Sequence, residues 1–156
     1  DFKQNNILVL GNGGTAYTVI YSLIQNYQND IYIWGRNKEK VHNLIRNIYS
    51  TSNRIKEYKY IDNKPWIIIN CLSFNIDKSS INSILTHLPS TNIELIIDIN
   101  YSKNLFKDAL ASMNSKIISG EDMFIFQALK SFNIWFDNQY TQMISYNKMK
   151  ELIFKK

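Results

Sequence analysis

The chain has 156 residues, about the size of one domain, and 45% of them are hydrophobic. A chain of this length buries a hydrophobic core without the help of disulfides or metals. Cys71 is the only cysteine, which excludes an internal disulfide framework and indicates a reducing, cytoplasmic setting. The two histidines stand far apart, and no group of Cys and His residues has the spacing of metal ligands, so we expect no metal site.

Hydropathy and charge exclude two further classes of protein. No apolar run reaches the ~20 residues of a membrane span, and no signal segment opens the chain, so we expect no membrane association. The net charge of +5 indicates either a nucleic-acid surface or a composition biased towards Lys, Asn and Ile. The lysines are scattered and form no basic stripe, which favours compositional bias and predicts no nucleic-acid partner.

Strand-like and helix-like apolar patterns alternate along the chain. In chain order, strands are predicted at 7–11, 31–34, 58–61, 66–71, 95–99 and 117–118. Helices are predicted between and after them, at 16–27, 41–48, 81–88, 105–113, 123–136 and 142–154. This alternation indicates right-handed βαβ units. We therefore predict a Rossmann-like, doubly wound α/β fold of three layers, with a mostly parallel six-stranded sheet and helices on both faces.

A glycine cluster lies where the first predicted strand meets the first predicted helix. The residues of this turn are Gly11, Asn12, Gly13, Gly14, Thr15 and Ala16. Gly11 permits a tight turn, Gly13 lets the backbone approach a pyrophosphate, and the helix beginning near Gly14 presents free N–H groups and a positive dipole end. An ordinary glycine-rich turn is the alternative. The order of strand, turn and helix is the context that a dinucleotide site requires, so we predict dinucleotide binding.

The end of the second predicted strand indicates which dinucleotide binds. NAD-binding domains usually place Asp or Glu there to accept hydrogen bonds from the adenosine ribose. Here Arg36 follows the strand directly, then Asn37 and, one helical turn on, Lys40. A guanidinium suits a 2′-phosphate because its planar donors and permanent charge match phosphate oxygens. The sequence predicts NADP rather than NAD; a solvated helix start is the alternative role for Arg36 and Lys40.

From Ile7 to Trp135 the chain resembles the nucleotide-binding half of shikimate dehydrogenases. The doubled glycine of the turn matches that family's signature, and the residues from Arg36 to Lys40 match its segment that grips the 2′-phosphate. The family's Asn-Ala-Thr-type strand end, close to the dinucleotide, is matched by Asn70 followed by Cys71, Leu72 and Ser73. The resemblance therefore implies that these three residues line the cofactor site.

Two later motifs extend the resemblance. The family's Asp-x-x-Tyr strand end is matched by Asp98-Ile99-Asn100-Tyr101, which implies Ile99 near the nicotinamide and Tyr101 on the substrate side. The most specific match is the order and spacing of Gly120, Met123, Gln127, Ala128, Phe132 and Trp135. It implies Met123 near the nicotinamide and Gln127 near the substrate. A glutamine inside an apolar helix also predicts a buried partner or a ligand for Gln127.

Several residues depart from the family pattern. Asp122 replaces a glycine, Gly35 replaces an asparagine, and Cys71 and Leu72 replace small and hydroxyl residues, while the Pro and Thr expected after Tyr101 are absent. A carboxylate at Asp122 is expected to crowd or repel the nicotinamide or the substrate. These departures indicate a divergent member of the family or one under relaxed selection.

The resemblance implies an NADP-dependent oxidoreductase of the shikimate pathway, which leads to chorismate and the aromatic amino acids. It implies reversible reduction of 3-dehydroshikimate to shikimate with NADPH. The family's N-terminal domain supplies the substrate pocket and the Lys and Asp of proton transfer, and this chain has no counterpart to it. We therefore expect residues 1–156 to be one NADP-binding domain cut from a longer enzyme, with no catalytic acid or base of its own.

Two other functions stay open at this point. One is a non-catalytic nucleotide-binding module of a larger assembly, which Asp122 and the missing domain favour. The other is a different NADP-linked Rossmann reductase, of the quinate or glutamyl-tRNA type, which explains the first half of the chain better than the second. The sequence also leaves open whether the protein forms a homodimer.

Overall fold

A computed structural model of the chain describes residues 4–49, 52–59, 64–73, 77–89, 92–101, 105–111, 113, 115–137 and 144–154. The strands are β1 (Asn6–Leu10), β2 (Ile31–Trp34), β3 (Ile55–Glu57), β4 (Trp66–Asn70), β5 (Ile93–Asp98) and β6 (Lys116–Ser119). The helices are α1 (Gly14–Asn26), α2 (Lys38–Tyr49), α3 (Lys78–Leu85), α4 (Leu105–Ala111), α5 (Gly120–Trp135) and α6 (Tyr146–Phe154).

The six strands form one parallel sheet in the order β3-β2-β1-β4-β5-β6. The chain runs from β1 outward to β3, returns to β4 beside β1, and then runs outward to β6 on the other side. The strand order therefore reverses between β1 and β4, which is the topological switch point of a doubly wound sheet. The predicted Rossmann-like fold is confirmed.

The third strand was predicted in the wrong place. It covers Ile55–Glu57, where Ile55 is buried and pairs with Ile31 of β2. Tyr58 follows the strand and packs edge-on against Trp66, with ring centroids 5.5 Å apart. The high strand propensity of tyrosine drew the prediction to 58–61. The remaining part of that prediction, residues 60–61, lies outside the described residues, as does the start of the helix predicted from residue 142.

Alternate residues of the central strands point to opposite faces of the sheet, so each face carries its own core. On one face, Val9 and Ile33 pack with buried residues of α1 and α2, such as Ile20 and Val41. On the other face lie Leu8, Leu10, Trp34, Trp66 and Ile68, together with Ile84 of α3 and Leu110 of α4. Both tryptophans are therefore core residues. None of the helices in the described ranges combines the length and hydropathy that a bilayer span needs.

Arg54 ties the end of α1 to the segment before β3. Its Nη1 donates hydrogen bonds to the carbonyl oxygens of Tyr27 at 2.8 Å and Asn29 at 3.0 Å, and its Nη2 donates to that of Ile24 at 3.2 Å. The last carbonyls of a helix lack partners within the helix and carry a partial negative charge. One guanidinium therefore satisfies the carboxyl end of α1 and positions the edge strand β3.

We predict that Arg54→Ala lowers the free energy of unfolding by about 1–3 kcal/mol, because charge-assisted hydrogen bonds to carbonyls at a helix end are lost. Urea unfolding followed by circular dichroism measures the change. Arg46→Ala is the matched control, since the hydrogen bond of Arg46 in the described structure goes to Asn43 on its own helix, at 3.1 Å. The control should change stability by less than about 0.5 kcal/mol. Equal effects of the two substitutions would contradict the capping role.

Candidate nucleotide-binding site

A pocket of about 520 Å³ opens at the carboxyl ends of β1, β2, β4 and β5, over the switch point of the sheet. Ligands of doubly wound α/β proteins bind at this position. The pocket collects most of the residues that the sequence assigned to a cofactor. Its lining is formed by Gly11, Asn12, Gly13, Thr15, Gly35, Arg36, Asn37, Lys40, Cys71, Leu72, Ser73, Ile99 and Asn100.

Gly11 makes the close turn that forms the floor of this pocket. Its φ is +117°, a conformation that favours glycine, and a Cβ there would lie 2.9 Å from the carbonyl oxygen of Cys71. The Gly11 N–H donates to the Trp34 carbonyl at 2.8 Å, and the Cys71 N–H donates to the Leu10 carbonyl at 2.8 Å. The ends of β2, β1 and β4 are therefore held together directly beneath the turn.

The amino end of α1 faces the pocket without a cap. Among the described residues, no side chain caps this end, and the first turn of α1 contains no acidic residue. A Cβ on Gly13 or Gly14 would have no described heavy atom within 4 Å, so the packing of the described residues does not require glycine at either position. Open space beside uncapped N–H groups and a positive helix end is the arrangement that binds a phosphate.

Exposed cations lie in the turn after β2 and in the first turn of α2, and the turn itself, Gly35 to Asn37, contains no carboxylate. Arg36 and Lys40 are both exposed at the pocket. Asn37 orients the turn, because its Oδ1 accepts a hydrogen bond from the Lys40 N–H at 2.9 Å and its carbonyl accepts one from Asn12 Nδ2 at 3.3 Å. This side of the pocket is therefore suited to a further anionic group.

Gly35, which replaces the family's asparagine, has a structural explanation. A Cβ at Gly35 would lie 2.8 Å from Asn12 Nδ2 and 2.9 Å from Cγ2 of Val41. The amide of Asn12 thus occupies the space that a side chain at position 35 would need. The contact between positions 12 and 35, which lie far apart in the sequence, was not predicted from the sequence.

A buried amide and carboxylate network joins the ends of β4 and β5. Asp98 is fully buried, and its Oδ1 accepts hydrogen bonds from Asn70 Nδ2 at 2.9 Å, Asn100 Nδ2 at 3.0 Å and the Asn100 N–H at 3.1 Å. Asn70 Oδ1 also accepts from the Leu72 N–H at 3.1 Å, and Asn100 Nδ2 donates to the Leu72 carbonyl at 3.1 Å. The network fixes one wall of the pocket. Sequence reasoning gave Asn100 no role, and its only signal was a polar residue at a strand end.

Cys71 lies at the same wall and is largely buried. Burial, and then the negative charge of Asp98, raises the pKa of the Cys71 thiol to about 12. The thiol therefore stays protonated near neutral pH and is a poor nucleophile. The described part of the chain holds no cluster of His, Cys, Asp and Glu side chains able to bind a metal ion.

Five of the predicted site residues do not line this pocket. Ala16 is buried in the core beneath the turn, and Gly14 begins α1. Met123 is exposed in the first turns of α5. Tyr101 is 52% exposed and packs against Phe124, with ring centroids 4.7 Å apart. Gln127 lies on α5, beside a separate apolar pocket of about 460 Å³ between α5 and α6.

Gln127 was predicted to have a buried partner or a ligand, and its side chain is exposed, which leaves a ligand as the prediction. The helix is nevertheless anchored close to the candidate site. A Cβ on Gly120 would lie 2.1 Å from the Ile99 carbonyl oxygen, so α5 begins in direct contact with the segment after β5. Glycine at position 120 is therefore required by packing and brings Met123 to this end of the sheet.

Asp122, the carboxylate in place of the family's glycine, is engaged by α6. It accepts hydrogen bonds from the Tyr146 hydroxyl and from Lys150 Nζ, the latter at 2.9 Å. Lys150 Nζ also donates to the Tyr146 hydroxyl at 3.0 Å. The hydrogen bonds from Tyr146 and then Lys150 hold the pKa of Asp122 below its usual range. The expected repulsion of a ligand is thus reduced, because a cation balances the charge of the carboxylate.

Comparison with known proteins identifies the family. The model of the shikimate/quinate 5-dehydrogenase family matches residues 1–124. The chain belongs to the shikimate/quinate 5-dehydrogenase family. It is 25% identical over 135 residues to a shikimate dehydrogenase (NADP(+)) of Aquifex aeolicus, covering 86% of this chain and 49% of that protein. The chain thus spans about half the length of the curated relatives that it matches.

Solved structures have the same fold as this member of the family. The crystal structure of shikimate dehydrogenase from Aquifex aeolicus superposes with a TM-score of 0.74 and 22% identity, covering 99% of this chain and 55% of that chain. A shikimate dehydrogenase in complex with NADP+ superposes with a TM-score of 0.61 and 24% identity, covering 85% of this chain and 49% of that chain.

Substitution of two glycines in the same turn should affect stability to very different extents. Gly11→Ala should lower the free energy of unfolding by at least about 2 kcal/mol, because an L-residue is strained at positive φ and the added methyl meets the Cys71 carbonyl. Gly13→Ala should leave stability within about 1 kcal/mol of the wild type. Chemical unfolding of both variants measures the difference, and similar losses would contradict the described turn.

The Asp122 cluster predicts a pH-dependent stability. Because the folded pKa of Asp122 is lowered, its contribution is fully present above its unfolded pKa of about 3.9 and is lost as the pH falls through the folded value. Asp122→Asn should therefore lower Tm at pH 7, and the difference from the wild type should shrink as the pH falls below about 3.9.

Glu121→Gln is the matched control for this experiment, since Glu121 occupies the same first turn of α5. Both acids interact with the amino end of the helix, so that effect is common to the two variants. The control should show a smaller Tm difference at pH 7. A Tm difference for Asp122→Asn that persists unchanged at low pH would contradict the role of the carboxylate.

Proposed function

We propose that the chain is the NADP-binding domain of a shikimate dehydrogenase-like oxidoreductase, which reversibly reduces 3-dehydroshikimate to shikimate with NADPH. The observation that carries this proposal is the pairing of two anion sites in one pocket. The uncapped amino end of α1 lies on one side, and Arg36 with Lys40 lies on the other, with no carboxylate at the end of β2. Membership of the family supports the reaction class.

The residues of the pocket fit this cofactor. The pyrophosphate would be held by the backbone of Gly11–Ala16, and the 2′-phosphate by Arg36, Asn37 and Lys40. The guanidinium of Arg36 is also able to stack on the adenine. NADPH supplies a hydride when bound, and the domain supplies binding and orientation.

The remaining predicted residues belong to the nicotinamide end. We assign Cys71, Leu72, Ser73, Ile99 and Met123 to the surface that orients the nicotinamide. Tyr101 and Gln127 are assigned to the substrate side, because both side chains are exposed, Tyr101 on the segment after β5 and Gln127 on α5. None of these residues is assigned as a catalytic acid or base, and the amide of Gln127 does not titrate.

Proton transfer and the substrate pocket are proposed to reside in an N-terminal domain outside these 156 residues. The half-length match to curated relatives supports this division. The outer surface of α5 and α6 supports it as well, because large apolar side chains there are exposed: Phe126 by 61%, Ile134 by 70%, Trp135 by 77% and Leu152 by 71%. Apolar patches of this kind mark contact surfaces. The proposal also includes that the protein acts in the shikimate pathway and is located in the cytoplasm.

Two alternatives to this proposed function are each supported by a specific observation. Quinate is a second candidate substrate, because the family model covers both shikimate and quinate dehydrogenases. A non-catalytic nucleotide-binding module is favoured by Asp122 in place of the family's glycine. An assay of the full-length protein with shikimate, quinate and NADP+ separates these functions. NADP+ binding without turnover of either substrate would favour the non-catalytic module.

The cofactor assignment predicts the effect of Arg36→Met. The Kd for NADP+ should rise by roughly tenfold to a hundredfold, because charged hydrogen bonds to the 2′-phosphate are lost, while the Kd for NAD+ should change less than about threefold. Isothermal titration calorimetry measures both constants. Arg46→Met, on the far turns of α2, is the control and should change neither. Equal losses for the two nucleotides would contradict the role of Arg36.

A further inference from the structure

Arg36 reaches across the mouth of the pocket to α3. Its Nη1 lies 3.4 Å from the Oγ of Ser80. Arg36 follows β2 and Ser80 follows β4, and β1 lies between these two strands in the sheet. One side chain thus connects the two halves of the sheet across the crevice at the switch point.

Ser80 is itself fixed by the cap of α3. Its N–H donates to Asp77 Oδ1 at 2.9 Å, and its hydroxyl donates to Asp77 Oδ2 at 2.7 Å. A serine hydroxyl has one proton to donate and two lone pairs to accept with. Because that proton is given to Asp77, the oxygen of Ser80 faces Arg36 as an acceptor. The direction of the contact between them is therefore determined.

The cap remains ionised over the whole neutral and mildly acidic range. Hydrogen bonds from Ser79, and then from the N–H and hydroxyl of Ser80, hold the pKa of Asp77 well below its usual range. The carboxylate polarises the Ser80 hydroxyl and makes its oxygen a better acceptor. The support for Arg36 is thus insensitive to pH near neutrality.

We propose that Ser80 is a positioning residue that holds Arg36 across the crevice and so raises the selectivity of the site for a nucleotide with a 2′-phosphate. The inference rests on the proposed NADP site. Arginine is among the side chains that lose most rotamer freedom when they are ordered. A contact at Nη1 orders the side chain before the nucleotide arrives and leaves the other guanidinium N–H groups for phosphate oxygens.

Ser80→Ala tests the proposal, with Ser79→Ala as the matched control. Ser79 also donates to Asp77, at 2.5 Å, but has no contact with Arg36 in the described structure. Ser80→Ala keeps the backbone hydrogen bond of the cap, so α3 should stay folded. The Kd for NADP+ should rise about threefold with NAD+ unchanged, while Ser79→Ala alters neither. Ser80→Thr, which restores the hydroxyl, should return the selectivity to that of the wild type.

A double-mutant cycle with Arg36→Met distinguishes positioning from direct contact. Ser80→Ala should have no further effect on NADP+ binding in the Arg36→Met background. A loss that persists there, or a Ser80→Ala variant with unaltered selectivity, would overturn the role of Ser80 alone. A wild-type chain that binds NADP+ no better than NAD+ would overturn the proposed cofactor and the role of Ser80 together.

Discussion

The close approach of Gly11 to the carbonyl of Cys71 is the constraint on which the site depends. A Cβ at Gly11 would lie 2.9 Å from that oxygen, so the turn after β1 packs against the end of β4 with no room for a side chain. This contact sets the direction in which α1 leaves the sheet. The amino end of α1 then faces the crevice where the strand order reverses, which is where open α/β sheets bind their ligands.

The other wall of the site depends on polar groups that are buried and shared. Asp98 is fully buried and receives hydrogen bonds from both Asn70 and Asn100. A buried carboxylate without such donors would be strongly unfavourable, so each of the three residues requires the others. Because Asn70 and Asn100 also bind the backbone of Leu72, the network holds the segment after β4 in a defined position. The need to satisfy the buried carboxylate therefore fixes this wall, and the wall bounds one side of the pocket.

The sequence was sufficient for the fold and for most of the pocket lining, since both depend on local patterns. The apolar strands are short and uninterrupted, and the residues directly after β1, β2, β4 and β5 meet at one edge of a parallel sheet. The third strand was misplaced because the tyrosines after it have high strand propensity, while the pairing of Ile55 with Ile31 depends on tertiary contact. At this position the pairing with β2, and not the strand propensity of single residues, determines where β3 lies.

The features that sequence reasoning missed are contacts between distant residues. The space at Gly35 is filled by Asn12, and the cation for Asp122 is supplied by Lys150. Gln127 was predicted to have a buried partner or a ligand because apolar residues surround it on α5, and its side chain is exposed. Apolar side chains of that helix are exposed as well, Trp135 by 77%. Periodicity reports that a helix is apolar, but it does not report which neighbour covers it.

Two departures from the family pattern, Gly35 and Asp122, are accommodated by neighbouring residues, and this changes what they imply about the site. The space beside Gly35 is occupied by Asn12 and Val41, and Asp122 introduces a charge where Tyr146 and Lys150 supply donors. A substitution without a partner would have left a cavity or an unpaired charge near the cofactor, and each would destabilise the fold. In the described structure neither departure does so. The divergence of this chain is therefore compatible with an intact pocket, and the proposed selectivity would depend on how the cations beside the turn after β2 are held.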